Sequence, residues 1–346
     1  MVQGVEEKLI DGLKPLSCKV LVTGAGGFIG STLCRLLLEA GCKRVAGLDL
    51  AHCPDDLAGC LEWYGGDITV PESCRAAFEG AELVFHLAAL ASDWAPRRVF
   101  WRVNALGTAN VVKLCRRAGV RRLVHMSTLA IHPFSGWRDA DESTPVGNRV
   151  NGYCTSKAEA EKIVLGANGD GLETTAIRPG AIIHGPGDTT AFVKLAPVVE
   201  RGRMPLVGGG RALVCYSDAR NLARGLVLAA TSPAVAGEVF IVTDDVRITL
   251  REYLQAVAAE LGTDLRLVSV PGPVASAAAW TMELAWKLAG ARRPPPLHRY
   301  RVGLFARDFH FGCEKAKRLL GWRPIIPFGQ SIKDTANWYK NRRRNR

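Results

Sequence analysis

The sequence predicts an α/β fold, a doubly wound parallel sheet followed by a smaller C-terminal lobe. Three observations carry this. Short apolar, β-branched runs alternate with helical stretches through the first half, a glycine cluster separates the first run from the first helix, and the rhythm loosens after about Ile183. Strands alternating with helices build a parallel sheet covered on both faces, and strands buried on both sides read as short continuous apolar runs. A chain of 346 residues suits one large domain or two fused lobes.

The elements follow in order. Lys19-Val20-Leu21-Val22 predicts the first strand, and Phe28 to Ala40 the helix after the glycines. Val45 to Leu48 is the second strand, and a third precedes Gly66. Leu83 to Leu87 and Leu123 to Met126 are the next two, joined by a long helical pattern from Pro96 to Ala118. A helix from Tyr153 to Leu165 leads to a strand at Glu173 to Ile177. Residues 1–183 are assigned to the sheet domain. Past it, His184-Gly185-Pro186-Gly187, Gly208-Gly209-Gly210, Pro271-Gly272-Pro273 and Pro294-Pro295-Pro296 mark a lobe of helices and short strands over 184–346. The chain is expected to return to the sheet near Gly237 to Thr243.

Composition narrows the class. Hydrophobic residues at 48% and charged residues at 23% exclude a disordered or fibrous chain. Lys plus Arg number 45 against 33 Asp plus Glu, a net charge of +12. Such an excess is compatible with nucleic acid, anionic lipid or an anionic small molecule and selects none of them; no specific nucleic-acid partner is expected. Asn341 to Arg346 carries four of the arginines and reads as a solvated tail. The ten cysteines form no Cys-x-x-Cys pair and no zinc-ligand spacing, so no metal site is expected. They read as small buried hydrophobes in a reducing compartment. Met1 to Leu16 holds Glu6, Glu7 and Asp11 and is not a secretory signal, and no run of about 18 uncharged apolar residues exists.

Thr23-Gly24-Ala25-Gly26-Gly27-Phe28-Ile29-Gly30 follows a strand and opens a helix. Gly24 permits the tight turn, Gly27 lets the backbone approach a pyrophosphate, and Gly30 lets the helix pack on the strand. Free N–H groups at the helix start point at the phosphates. Asp49 stands 19 residues after Gly30, where an acid accepts hydrogen bonds from the adenosine ribose hydroxyls. It would repel a 2′-phosphate, and no Arg or Lys follows it before Arg75, so NAD is expected rather than NADP. Asp67, after the third strand, either faces the adenine amino group or caps the helix at Pro71.

Tyr153-Cys154-Thr155-Ser156-Lys157 places a phenol and an ammonium on one helix face. A phenol titrates near 10; a nearby cation and the nicotinamide charge favour phenolate, which makes Tyr153 a general base. The helix lies downstream of a strand ending in Ser127-Thr128.

At these residues the chain resembles the extended short-chain dehydrogenase/reductases. The motifs are Thr23 to Gly30, His86-Leu87-Ala88-Ala89, Val103 to Thr108, Ser127-Thr128, Tyr153 to Lys157, and Arg178-Pro179-Gly180 with His184-Gly185-Pro186. Within that superfamily it looks most like the 3β-hydroxysteroid dehydrogenases and the decarboxylating sterol-4α-carboxylate 3-dehydrogenases, at Val164 to Asn168, Thr174 to Pro179, Asp308 to Phe311 and Cys313 to Lys317. The resemblance implies a Rossmann-type sheet with NAD held by Gly24, Gly27, Phe28, Ile29, Gly30, Asp49, Asp67, Ala88, Tyr153, Lys157 and Pro179. It implies that Tyr153 takes the proton from the substrate hydroxyl, while Lys157 holds the ribose hydroxyls and depresses the tyrosine pKa. Thr128 stands where the family usually has a second serine; it supplies the same hydroxyl, and its methyl narrows the pocket. Asn104 belongs to the cofactor site or a proton network, and His86 to a structural strand end. His125 and His132 receive no role.

The expected reaction is NAD-dependent oxidation of a secondary, 3β-type hydroxyl on a sterol-like substrate to a ketone, with loss of CO₂ if a carboxylate lies beta to the new ketone. Two alternatives use the same parts. One is a nucleotide-sugar epimerase or dehydratase, with Arg203, Arg211 and Arg220 as candidate diphosphate ligands. The other is a non-catalytic NAD-binding regulatory protein, against which the Tyr153/Lys157 pair argues. A homodimer is expected, in the cytoplasm or peripherally on a membrane (the endoplasmic reticulum in a eukaryote). The membrane expectation rests on Val274 to Ala289. Laid on a helix, Ser276, Glu283 and Lys287 share a polar face, Val274, Leu284 and Leu288 fall opposite, and Trp280 and Trp286 stand on the borders. The alternative is an amphipathic helix packed on its own core or at a dimer contact.

Overall fold

The computed structural model describes residues 8–291 and 293–344. Seven parallel strands form the central sheet: β1 Val20–Thr23, β2 Val45–Asp49, β3 Glu62–Gly65, β4 Leu83–His86, β5 Arg122–Met126, β6 Glu173–Pro179 and β7 Val239–Val242. Their spatial order is β7-β6-β5-β4-β1-β2-β3. The strand order reverses between β1 and β4, so a crevice opens beyond their carboxyl ends. The return of the chain predicted near 237–243 is β7, paired in register with β6 from Val239 opposite Ala176 to Val242 opposite Pro179.

Period-two alternation divides β1 between two cores. Val20 and Val22 face the cluster containing Leu33 and Leu37 of α1 (Phe28–Glu39). Leu21 faces the cluster of Ala77 and Phe78 from α2 (Pro71–Phe78), Val111 and Cys115 from α3 (Gly107–Ala118), and Val164 from α4 (Gly152–Leu165). The first cluster also takes in Leu222 and Leu226 of α5 (Ala219–Thr231), Phe240 of β7 and the fully buried Trp322. Trp322 donates its indole N–H to the Thr243 carbonyl at 3.0 Å. Residues far along the chain thus complete the core under β1.

The helical pattern expected over Pro96 to Ala118 is present but not uniform. Residues Trp101–Leu106 form a π-helical stretch between helix Arg97–Phe100 and α3, a widening that marks functional segments in helices. The arginine-rich end, read as a solvated tail, is exposed at Asn341, Arg343 and Arg344 but helical. Helix α8 (Phe328–Arg344) runs through Arg342 to Arg344, with Arg343 on Glu200 at 2.8 Å and Arg342 over the Trp338 ring at 5.4 Å. Cations at a helix C-terminus interact favourably with its dipole. Asn345 and Arg346 lie outside the described residues.

All ten cysteines are free. Seven are buried, as expected, while Cys60 is exposed. No helix among the described residues is long and apolar enough to cross a membrane. Helix α6 (Gly272–Leu288) turns outward the apolar stripe read from its sequence, against the alternative that this stripe packs on the core, but it buries Glu283 of the polar face. Ala275, Ala279 and Glu283 are its buried residues, whereas Val274, Trp280, Leu284 and Leu288 are exposed. Glu283 is drawn inward because it accepts from the Arg299 backbone N–H at 2.6 Å and the Arg299 guanidinium at 3.0 Å, at the start of helix α7 (Arg299–Ala306).

Candidate active site

The loop after β1 is built for close backbone approach. Gly24 has φ +75°, and a Cβ there would lie 2.7 Å from the Ala88 nitrogen. A Cβ on Gly30 would sit 2.0 Å from the Gly24 carbonyl oxygen. Only glycine fits either position. Gly27 is the N-cap of α1, which has no side-chain cap and no acid in its first turn. That leaves amide N–H groups and the positive end of the helix dipole facing the crevice. Phe28 lays its ring by Gly185 and Gly187, joining this loop to the second lobe, and Ile29 packs on the core behind it. Asp49 at the end of β2 accepts from the Gly26 N–H and the Ala51 N–H, both at 2.9 Å, so the carboxylate is already fixed beside the loop.

Asp67 is not a helix cap. The N-cap of α2 is Val70, and the Asp67 carboxylate instead accepts from the Thr69 N–H at 2.8 Å. The carboxylate reaches the nearer amide two residues on, the usual turn for Asp.

A buried hydrogen-bond chain sets the floor of the site. The Ala88 N–H reaches the Thr23 hydroxyl at 3.3 Å, and that hydroxyl meets His86 Nδ1 at 2.8 Å. His86 Nε2 meets the Thr108 hydroxyl at 2.9 Å, which donates to the Asn104 carbonyl at 2.5 Å. Thr108 has one proton and uses it on Asn104, so His86 donates from Nε2 and accepts at Nδ1. Burial lowers the His86 pKa to about 3, keeping the ring neutral. The Asn104 side chain accepts from the Leu90 N–H at 2.7 Å and donates to the Ser156 hydroxyl at 3.0 Å. Asn104 therefore ties the loop after β4 to α4.

Helix α4, capped by Asn151 on the Cys154 N–H, carries Tyr153 and Lys157. Burial pushes the Tyr153 phenol up to about 12, and a hydrogen bond with Thr128 draws it the other way. The Lys157 ammonium turns to the Met126 carbonyl at 2.5 Å and to His125 Nε2 at 3.3 Å. Its pKa falls to about 8, again by burial. The expected depression of the tyrosine by Lys157 is therefore corrected: two acceptors of β5 hold the cation, and the phenol is governed by burial and Thr128. One turn on, Glu161 takes a two-pronged contact from Arg178 of β6 at 2.9 and 2.6 Å, both side chains about 5% exposed.

Sequence reasoning missed three groups. His125, a lone histidine without a role in the sequence, is an acceptor for Lys157. Ser127, at the end of β5 next to Thr128, has a buried hydroxyl with no partner among the described residues. Tyr300, from α7, lies edge-on to Tyr153 with ring centroids 6.5 Å apart. Position at a strand's carboxyl end could have flagged the first two. Pro179, the last residue of β6, is buried near the same edge.

The model of the 3-beta hydroxysteroid dehydrogenase/isomerase family matches residues 21–271. The chain belongs to this family. Among similar proteins, a 2-alkyl-3-oxoalkanoate reductase of Stenotrophomonas maltophilia is 33% identical over 91% of this chain and 97% of its own. A 3 beta-hydroxysteroid dehydrogenase/Delta 5→4-isomerase of Mycobacterium tuberculosis is 33% identical over 93% and 90%. The decarboxylating sterol-4-alpha-carboxylate 3-dehydrogenase of Schizosaccharomyces pombe is 30% identical over 92% and 96%. The fold is shared with a dTDP-glucose 4,6-dehydratase of Streptomyces venezuelae, at a TM-score of 0.76 and 24% identity over 94% of this chain and 98% of that one. The protein is an NAD-dependent oxidoreductase of this family. Its residues fit the cofactor: the glycine loop leaves a cradle that a Cβ would fill, α1 is uncapped, and Ser127 offers an unpaired hydroxyl at the strand edge.

Proposed function

We propose that the chain oxidises a secondary, 3β-type hydroxyl on a sterol-like substrate to a ketone, with C4 decarboxylation where the substrate bears an acid. The observation that carries this reading is the aromatic wall around the Tyr153–Thr128 pair. Phe100 stands 6.2 Å from the Tyr153 ring, Tyr300 6.5 Å, and Phe134 5.6 Å behind Tyr300. Such walls suit a flat, apolar ring system beside a few fixed polar groups. When bound, NAD supplies the hydride acceptor. Thr128 and Tyr153 orient the carbinol; burial keeps the Tyr153 phenol protonated near neutral pH, and Tyr153 would take the carbinol proton where the positive charge of bound NAD favours phenolate. Lys157 keeps a cation close by, at the Met126 carbonyl. A carboxylate beta to the ketone then leaves as CO₂ without a further catalyst.

The 2-alkyl-3-oxoalkanoate reductases, at 33% and 30% identity, favour a second reading, reduction of an acyclic branched 3-oxo acid by the same residues. The nucleotide-sugar alternative loses one candidate ligand, because Arg220 is held by Asp218 at 2.7 Å and Asp334 at 2.9 Å. The deciding experiment is a panel of hydroxysteroids, 2-alkyl-3-hydroxy acids and nucleotide sugars, read by NADH absorbance. Net NADH formation with a sterol is the expected result; turnover of nucleotide sugars alone overturns the proposal.

A further inference from the structure

Tyr300 is the one phenol that faces Tyr153 from the second lobe, and its setting is unusually fixed. The residues on either side are both ion-paired: Arg299 to Glu283 at 3.0 Å and Arg301 to Asp93 at 2.9 Å. Asp93 also takes the buried His298 at 3.1 Å, and the His298 ring stacks on Tyr300. Phe134 closes the remaining side at 73° and 5.6 Å. The ring is therefore held before any substrate arrives, and orientation needs no further ordering on binding. Despite this, its hydroxyl makes no hydrogen bond among the described residues. The residue is half-buried, and its hydroxyl is not among the wholly buried unpartnered polar atoms, so a ligand can reach it. Burial and the nearby Tyr153 hold the phenol well above its ordinary pKa, so it remains a donor at any working pH.

A fixed donor with no partner, across from the proton acceptor, matches a second oxygen on the substrate. The Asp93 charge is felt at the Tyr300 phenol, and Arg301, which pairs with Asp93 at 2.9 Å, opposes it in part. Two of the relatives are named for substrates with a carboxylate on the carbon next to the oxygen-bearing one, a sterol-4-alpha-carboxylate and a 2-alkyl-3-oxoalkanoate. We propose that Tyr300 is a specificity-determining residue whose hydroxyl donates to that carboxylate, so that 3-hydroxy and 3-oxo acids are preferred over the same compounds without the acid. This rests on the carbinol-oxidising reading above. A hydrogen bond to a charged group is stronger than a neutral one.

The test compares wild type with Tyr300→Phe on a 2-alkyl-3-hydroxy acid and on the matching secondary alcohol without the carboxylate. The variant, which keeps the aromatic ring, is expected to lose about 10- to 100-fold in kcat/KM on the acid, mainly through KM, and to lose far less on the alcohol. Tyr300→Met removes the ring of the aromatic wall as well and should lower both substrates, the acid by the larger factor, and NAD affinity and melting temperature report the fold. Equal losses on both substrates, or none on the acid, overturn the proposal while leaving the oxidoreductase reading intact. A wild-type enzyme that turns over neither substrate and no hydroxysteroid overturns both.

Discussion

Gly30 and Gly24 are the residues at which the smallest change should do the most damage. The Cβ of Gly30→Ala would meet the Gly24 carbonyl at 2.0 Å, and backbone cannot yield as a side-chain tip can. We expect loss of NAD binding by calorimetry and about 1–3 kcal/mol of destabilisation. Asp49→Ala should raise affinity for NADP relative to NAD, because it removes an anion that would face a 2′-phosphate; titration with both cofactors checks this. Tyr153→Phe should keep NAD affinity and lose about 10²- to 10⁴-fold in turnover. Thr128→Ser should be tolerated and Thr128→Val should not, since only valine removes the hydroxyl. Lys157 gives the pH dependence. Burial lowers its pKa to about 8, so its cation is present below that value and lost above it. Turnover should fall as the pH rises through about 8, and Lys157→Arg, which stays charged, should remove that limb of the profile.

At the scale of the element, α6 decides what the second lobe shows to its surroundings. A helix that packed its apolar stripe on the core would bury Leu284 and Leu288. Here Leu288 is 80% exposed and Glu283 8%, because Glu283 has Arg299 to answer it and the leucines face outward. An outward apolar stripe with Trp280 and Lys287 beside it suits the interface of an anionic bilayer. Wild-type protein should float with anionic vesicles. The triple variant Trp280→Ala, Leu284→Ala, Leu288→Ala should remain in the soluble fraction while still binding NAD.

For the whole molecule, the Arg178–Glu161 pair links β6 to the helix that carries Tyr153 and Lys157. Arg178 also meets His132 Nε2 at 3.2 Å, and His132 donates from Nδ1 to the Pro145 carbonyl at 3.0 Å. Burial, with Arg178 beside it, keeps that histidine near a pKa of about 4 and hence neutral. Arg178→Met strands a buried carboxylate and should cost about 3–5 kcal/mol in denaturant unfolding. Asp56→Asn, at the exposed partner of Arg35, should cost no more than about 1 kcal/mol.

Local chemistry determined what was legible from the sequence. The strands of the sheet announced themselves as continuous apolar runs because both of their faces are covered, and the glycine loop because each glycine answers a local steric demand. Tyr153 and Lys157 could be paired from spacing alone, since four residues along a helix return to one face. Tertiary contacts decided the rest. Whether the Lys157 cation faces the phenol depends on Met126 and His125, which the chain brings from β5. Asp67 could not be told from a cap until Thr69 was seen to take its carboxylate. The periodicity of α6 revealed two faces, but which face turns inward was settled by Arg299, 16 residues further on. Tyr300 carries no motif, and only the packing of the second lobe sets it against Tyr153. Periodicity and steric need are properties of neighbours in the chain, whereas the partner of a buried charge is a property of the folded neighbourhood.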